Sequence, residues 1–305
     1  MQAFPADNLK YVYSPAHAAV GRVAPGEMFT IDTSDCFTGR YRNPADFNAE
    51  SAAWVEDNLN PVTGPIWVDG ATAAGAVEVR IDSIAVTTPA YVVVSRAQAL
   101  SPADWWHEED HALTLPVDDS LIHVRPGWAL PARPLIGCLA TAPRRETILS
   151  RREGDYGGNL DCPAITAGAT VILPVEVDGA LLYFGDCKAA MGAGEVLCAP
   201  EVGTRITASA TPVPRPVSMG SPRIRTGTHL TTIVSGISLA EACRQAVRQL
   251  KLWLEDEWRL TPDDAAILLG IAGHCRVCQV SNALHTATCT VELALLPPDR
   301  PARPV

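Results

Sequence analysis

The sequence predicts an α+β fold that is predominantly β, with two helices near its C-terminus. Three observations lead there. Short apolar runs recur through residues 11–218 between turn residues, and 25 prolines and 22 glycines in 305 residues keep helices short in that part. Asp178-Gly179 stands between two apolar runs, a pair suited to a tight hairpin turn whose central residues need positive φ. Helical spacing of apolar residues appears only after Gly236, at Leu239, Cys243, Ala246, Val247, Leu250 and Leu254.

Taken in order, Ala24-Pro25-Gly26-Glu27 reads as a turn before a strand over 28–31, which runs into polar residues ending at Asp35. A carboxylate at a strand end serves a turn or cap as readily as a site. Residues 60–65 form a proline-stiffened loop before a strand over 66–68. Residues 75–84 alternate apolar side chains at Val77, Val79 and Ile81, as a half-buried strand does. The segment 101–111, SPADWWHEEDH, has a helix start followed by His107, Glu108, Asp110 and His111. Its spacing is not HExxH, and a short polar helix or solvated loop accounts for it. Strands are expected over 121–124 and 136–140.

A basic patch, Arg144, Arg145, Arg151 and Arg152, precedes GDYGGNLD. Gly157 and Gly158 permit backbone geometry that other residues resist and let the chain pass close to a ligand. Asn159 and Asp161 share a face if extended, although a plain turn fits the same residues. Residues 169–201 read as a hairpin turning at Asp178-Gly179, then a loop of small residues that gathers Asp186, Lys188 and Glu195. On an extended segment Asp186 and Lys188 face one way and Cys187 the other. Composition alone makes Asp186 and Lys188 an ordinary ion pair.

Ser238 and Glu241 form a capping box for a helix reaching about Trp258, and Thr261-Pro262 opens a second helix to about Gly270. Strands over 275–280 and 288–295 close the fold. Residues 1–296 are expected as one domain and 297–305 as a flexible tail.

A net charge of −10 argues against a general nucleic-acid binder. No apolar run approaches the ~18 residues of a membrane span, and the N-terminus lacks a basic segment followed by an apolar one, so neither membrane nor secretion is expected. Nine scattered cysteines fit a reducing compartment, and a cytoplasmic location follows. The lone CxxC, Cys275 and Cys278, lacks the second pair that a structural zinc site needs.

Several stretches together resemble the acetamidase/formamidase family: NPVTGPIWVDG (60–70), GGNLD (157–161), GDCKAAMGAGE (185–195) and RVCQV (276–280). Order and spacing agree from about residue 8 to 296. The resemblance implies a β-sandwich-like portion and hydrolysis of a small amide, acetamide- or formamide-like, to a carboxylate and ammonia. It also implies a homodimer or larger homo-oligomer. It places the polar site at Asp35, Asn159, Asp161, Asp186, Lys188 and Glu195. The family usually has His at the position of Lys188, Asp at that of Ala193, and often His at that of Tyr156. Protonated Lys cannot coordinate a metal, which puts the divalent ion of relatives in question, and no metal ligand or cofactor is assigned.

Amide hydrolysis needs an activated water, a group facing the developing oxyanion and an acid for the leaving nitrogen. The expected roles are Glu195 as general base, Lys188 as oxyanion stabiliser or proton donor, and Asp186 holding Lys188. Asp35, Asn159, Asp161 and Gly158 would bind substrate. Cys36 or Cys162 could reach the site as a nucleophile. Alternatives are a different amide, a cyclic imide or a ureido compound, or a non-catalytic small-molecule-binding paralogue.

Overall fold

The computed structural model describes residues 1–95, 100, 110–118 and 120–297. The polar segment holding His107 and Glu108, and the tail beyond Pro297, lie outside the described residues.

Two nine-stranded sheets carry the fold. The first runs in the order Gln2–Phe4, Met28–Thr33, Thr204–Val213, Ala76–Val86, Thr170–Pro174, Arg223–Arg225, His229–Gly236, His285–Glu292 and His274–Gln279. The second runs Glu153–Gly154, Gly157–Asn159, Leu135–Ala140, Leu182–Lys188, Glu201–Val202, Ala90–Val94 and His111–Leu115. Val62–Val68 pairs with Leu182–Lys188, and Gly21–Val23 pairs with Val62–Val68. Phe29, Ile31, Val77, Val79, Ile81, Val171 and Ile206 of the first sheet pack against Ile66, Ile136, Leu182, Phe184 and Val202 of the second in one buried core. Alternation supplies the inward positions of Met28–Thr33 and Ala76–Val86 in the first sheet, whereas Leu135–Ala140 and Leu182–Lys188 of the second are buried along their whole length.

The outer face of the first sheet is covered by helix. Leu239–Trp258 packs against Ile172, Leu230, Val234, Cys289 and Val291, and Pro262–Ala272 lies beside it. Both helices begin where expected: the Ser238 and Thr261 side chains accept the Glu241 and Asp264 N–H groups. The buried stripe of the first helix is Ala242, Ala246, Leu250, Trp253, Leu254 and Trp258, rotated from the expected one, and Val247 faces outward. The two tryptophans, not Leu239 or Val247, set the face, because large aromatics remove the most apolar surface from water. A further helix, Ala49–Asp57, was not expected; Asn48 caps it through the Ser51 N–H.

One expectation is corrected. Thr170–Pro174 and Leu182–Lys188 do not pair as a hairpin; they lie in different sheets. The Asp178-Gly179 turn does reverse the chain, with Ala180 N–H donating to Val177 O. Gly179, Ala180 and Leu181 take positive φ while Asp178 does not, so it is not the hairpin turn type. The chain rounds a corner of the sandwich here, and the Asp178 carboxylate accepts the Ala73 N–H.

Candidate active site

Leu182–Lys188 builds the floor of a cavity of about 430 Å³. Its first residues alternate: Leu182 and Phe184 point into the sandwich, and Tyr183 packs on the opposite face with Tyr13, Cys138 and Ala140. At Asp186 the backbone turns left-handed, with φ 51°. Beyond it Cys187, not its even-numbered neighbours, enters the core. The inversion frees Asp186 and Lys188 to line the cavity together. Across the ladder, Gly137 faces the bend. A Cβ there would sit 2.5 Å from Asp186 O and 2.6 Å from both Asp161 Oδ1 and Asp186 Oδ2.

Four carboxyl groups surround one ammonium. Lys188 Nζ lies 2.8 Å from Asp161 Oδ1, 2.8 Å from Asp186 Oδ2, 3.4 Å from Glu201 Oε1 and 3.9 Å from Glu195 Oε1. The contact to Asp161 is an ion pair without the direction of a hydrogen bond, and that to Asp186 is a hydrogen bond. Each carboxyl arrives on a different segment. Asp161 follows the strand Gly157–Asn159, Glu201 is the cross-strand partner of Lys188, and Glu195 rides on the loop between them. That loop is pinned by Gly194 N–H to Cys278 O and Val280 N–H to Gly194 O. Asp161 and Glu195, like Asp186, have positive φ, at 43° and 45°. Three strained residues aimed at one point mark a site whose surroundings over-determine it.

Neutral donors hold the carboxyls in turn. Asn60 Nδ2 donates to Asp186 Oδ2 at 2.9 Å, Asn282 Nδ2 to Asp161 Oδ2 at 2.9 Å and to Asn159 O at 3.1 Å, and Ser281 Oγ to Glu195 Oε2. Burial, helped by Asp161 and opposed by Lys188 and Ser281, raises the Glu195 carboxyl to about 8. Asp186 is raised to about 6, by burial against the pull of Lys188. Burial, with Asp186 and Glu195 nearby, lifts Glu201 well above its ordinary value against Lys188. Burial alone would lower the Lys188 ammonium, but the four carboxyls raise it well above its ordinary value. One positive charge cannot balance four negative ones, so the cluster keeps protons at neutral pH. Glu201 Oε2 is buried with no donor to it, and a hydrogen bond between the Glu201 and Asp186 side chains opposes the rise of the Asp186 carboxyl.

The structure thus brings together Asp186, Lys188, Glu195, Asp161 and Asn159. Two expected residues do other work. Asp35 is buried outside the cavity, and its carboxylate accepts N–H groups of Phe37 and Gly39, fixing the turn that carries Cys36 and Phe37 to the cavity wall. Gly158 does not line the cavity either. Its absent Cβ, and that of Gly157, make room for the backbone of Arg152 and Leu139, so the close approach is between strands. Cys187 is buried in the core, away from Lys188, and Cys162 is not on the wall. Cys275 and Cys278 do not form a pair: the first is exposed, the second buried.

Glu201, Asn60, Ser281 and Asn282 complete the site without having been singled out. Asn60 opens the NPVTGP stretch, a signal a sequence can carry, and Glu201 opens the two-residue strand Glu201–Val202. Ser281 and Asn282, in a turn between two strands, carry none.

The divalent ion attached to the resemblance can be tested against these residues. The tightest donor group is Cys36 Sγ with one carboxyl oxygen each from Asp186 and Glu201, all within 4.8 Å of one another. The Lys188 ammonium contacts both carboxyls, and no histidine among the described residues lines the cavity. A cation added there would meet a fixed positive charge at contact distance, so this donor set does not fit the ion.

The sequence profile of the Acetamidase/Formamidase family matches residues 137–213, which hold Lys188 and the four carboxyls around it. The whole chain superposes on the crystal structure of an acetamidase from Bacillus halodurans with a TM-score of 0.88 and 30% identity, covering 96% of this chain and 97% of that one. The chain belongs to the acetamidase/formamidase family. A predicted acetamidase/formamidase from Thermoanaerobacter tengcongensis gives a TM-score of 0.89 at 28% identity, with 95% of each chain covered. An acetamidase from Yersinia enterocolitica shares the fold, with a TM-score of 0.85 at 24% identity over 97% of this chain and 93% of that one. A comparison with curated proteins gives no match. This family member also contains no described helix long and apolar enough to cross a membrane.

Proposed function

We propose that the chain hydrolyses the C–N bond of a small amide, releasing ammonia and a carboxylate, in the cavity beside Lys188. Family membership supports the reaction class. The observation that carries the assignment is Glu195: a carboxyl on the cavity wall, held by Ser281, 3.9 Å from a buried ammonium and raised to about 8. A base with that affinity for protons is matched to taking one from water near neutral pH.

Ionised Glu195 accepts a proton from water as its oxygen attacks the amide carbon. The negative charge that develops on the carbonyl oxygen is opposed by Lys188. Two of the ammonium's contacts, at 2.8 Å, are with Asp161 and Asp186, and its proton affinity is raised, so its role is electrostatic rather than acidic. Glu201, which holds its proton, gives it to nitrogen as the C–N bond breaks. Asp186 fixes the ammonium, and Asn60 fixes Asp186.

At ~30 Å³ per water the cavity holds more than a dozen waters, more room than a two-carbon amide needs. The assay therefore measures ammonia release from linear amides, cyclic imides and ureido compounds. Glu195→Gln should lower kcat/KM on the best substrate by about 10²- to 10⁴-fold. Full turnover by that variant would remove Glu195 from the chemistry, and ligand binding without turnover of any compound would favour the non-catalytic reading.

A further inference from the structure

We propose that the Lys188 ammonium is the resident cation of a carboxylate cage, so that the native chain takes no divalent metal there and a chain without the ammonium does. Four carboxyl oxygens lie 2.8 to 3.9 Å from Nζ, and they come from four segments of the chain. Such convergence is how proteins hold a hard divalent ion, through oxygens gathered from several side chains. Here a tethered ammonium sits at the centre.

The cage does not depend on the lysine alone for its shape. Asp186 is held by Asn60, Asp161 by Asn282 and Glu195 by Ser281. Glu201 is held by strand pairing, and three of the four residues are locked in left-handed backbone. Shortening the lysine would remove the charge that balances these groups while leaving their supports in place. Glu201 Oε2, buried and without a donor, would exchange the proton of that carboxyl for a new cation. Cys36 Sγ, close to both Asp186 and Glu201, offers a further ligand. The volume given up by the lysine stem is continuous with the cavity, which supplies an entry path and space for waters on the ion.

The test uses the full chain and Mn²⁺, with bound ion read by electron paramagnetic resonance and by calorimetric titration. Chelator-treated native protein should bind no Mn²⁺ at this site and keep its Tm. Lys188→Ala should bind about one ion per chain with a roughly micromolar Kd, and Mn²⁺ should raise its Tm. Lys188→Met, which fills the stem's volume without charge or donor, should bind at least about tenfold more weakly. Lys188→His, which returns a neutral donor of shorter reach, is the second variant should Lys188→Ala not fold. The proposal is overturned by a stoichiometric metal in native protein whose removal lowers Tm, by a folded Lys188→Ala that binds no Mn²⁺, or by both variants failing to fold with or without the ion. Ion occupancy is read independently of turnover, so failure here leaves the amide assignment standing, and the reverse holds too.

Discussion

Ser281 donates to Glu195, and that hydrogen bond favours the ionised carboxylate. Its loss therefore raises an already high proton affinity. In native protein kcat/KM should climb with pH through about 8, as Glu195 loses its proton and becomes a base. Ser281→Ala should move that limb upward by roughly half to one pH unit, the equivalent of one modest hydrogen bond. A pH–rate profile of the two proteins checks it, and an unmoved or downward-moved limb would detach Ser281 from the base. Asp35 teaches the complementary lesson at this scale. A buried carboxylate at a strand end served a turn, because two backbone N–H groups within four residues were closer partners than any ligand.

Among the elements, the paired strands Leu135–Ala140 and Leu182–Lys188 create the site by breaking their own alternation. Ordinary pleating would bury Asp186 beside Phe184 and send Cys187 outward. The left-handed residue reverses this, and the facing strand accommodates it only because position 137 has no side chain. Gly137→Ala should cost about 1 to 3 kcal/mol, since backbone and two carboxylates would have to shift. It should also lower kcat/KM, because the displaced groups hold Lys188. Denaturant unfolding and ammonia release measure the two effects. A fully active, fully stable variant would show that the strands relax there without cost.

Across the whole molecule, the buried cluster makes stability depend on pH. Glu195 at about 8 and Asp186 at about 6 stand above their ordinary values of 4.5 and 3.8. Folding therefore favours their protonated forms. Their contribution is complete below about pH 4 and is lost as pH rises through about 6 and then 8. Tm should fall between pH 5 and pH 9, and Glu195→Gln should flatten the part of that fall near pH 8. A native Tm that rises over this range would contradict the assigned protonation. Activity and stability thus run in opposite directions with pH, because one proton both quiets the base and relieves the cluster.

What the sequence by itself determined was local. Cap residues and helical spacing placed the helices Leu239–Trp258 and Pro262–Ala272. Short apolar runs placed strands such as Met28–Thr33, Ala76–Val86 and Leu135–Ala140, and the small-residue loop showed Asp186, Lys188 and Glu195 close together. The NPVTGP, GGNLD and GDCKAAMGAGE stretches in register pointed to the family. Tertiary structure decided which strands became neighbours, and so that the Asp178-Gly179 turn is a corner between sheets rather than a hairpin. It also brought Asp161, Glu201, Asn60, Ser281 and Asn282 around one ammonium. The reason is range: turn chemistry and periodicity act over a few residues, whereas Asp186 and Asp161 are held beside Lys188 by Asn60 and Asn282, each more than a hundred residues away in the chain.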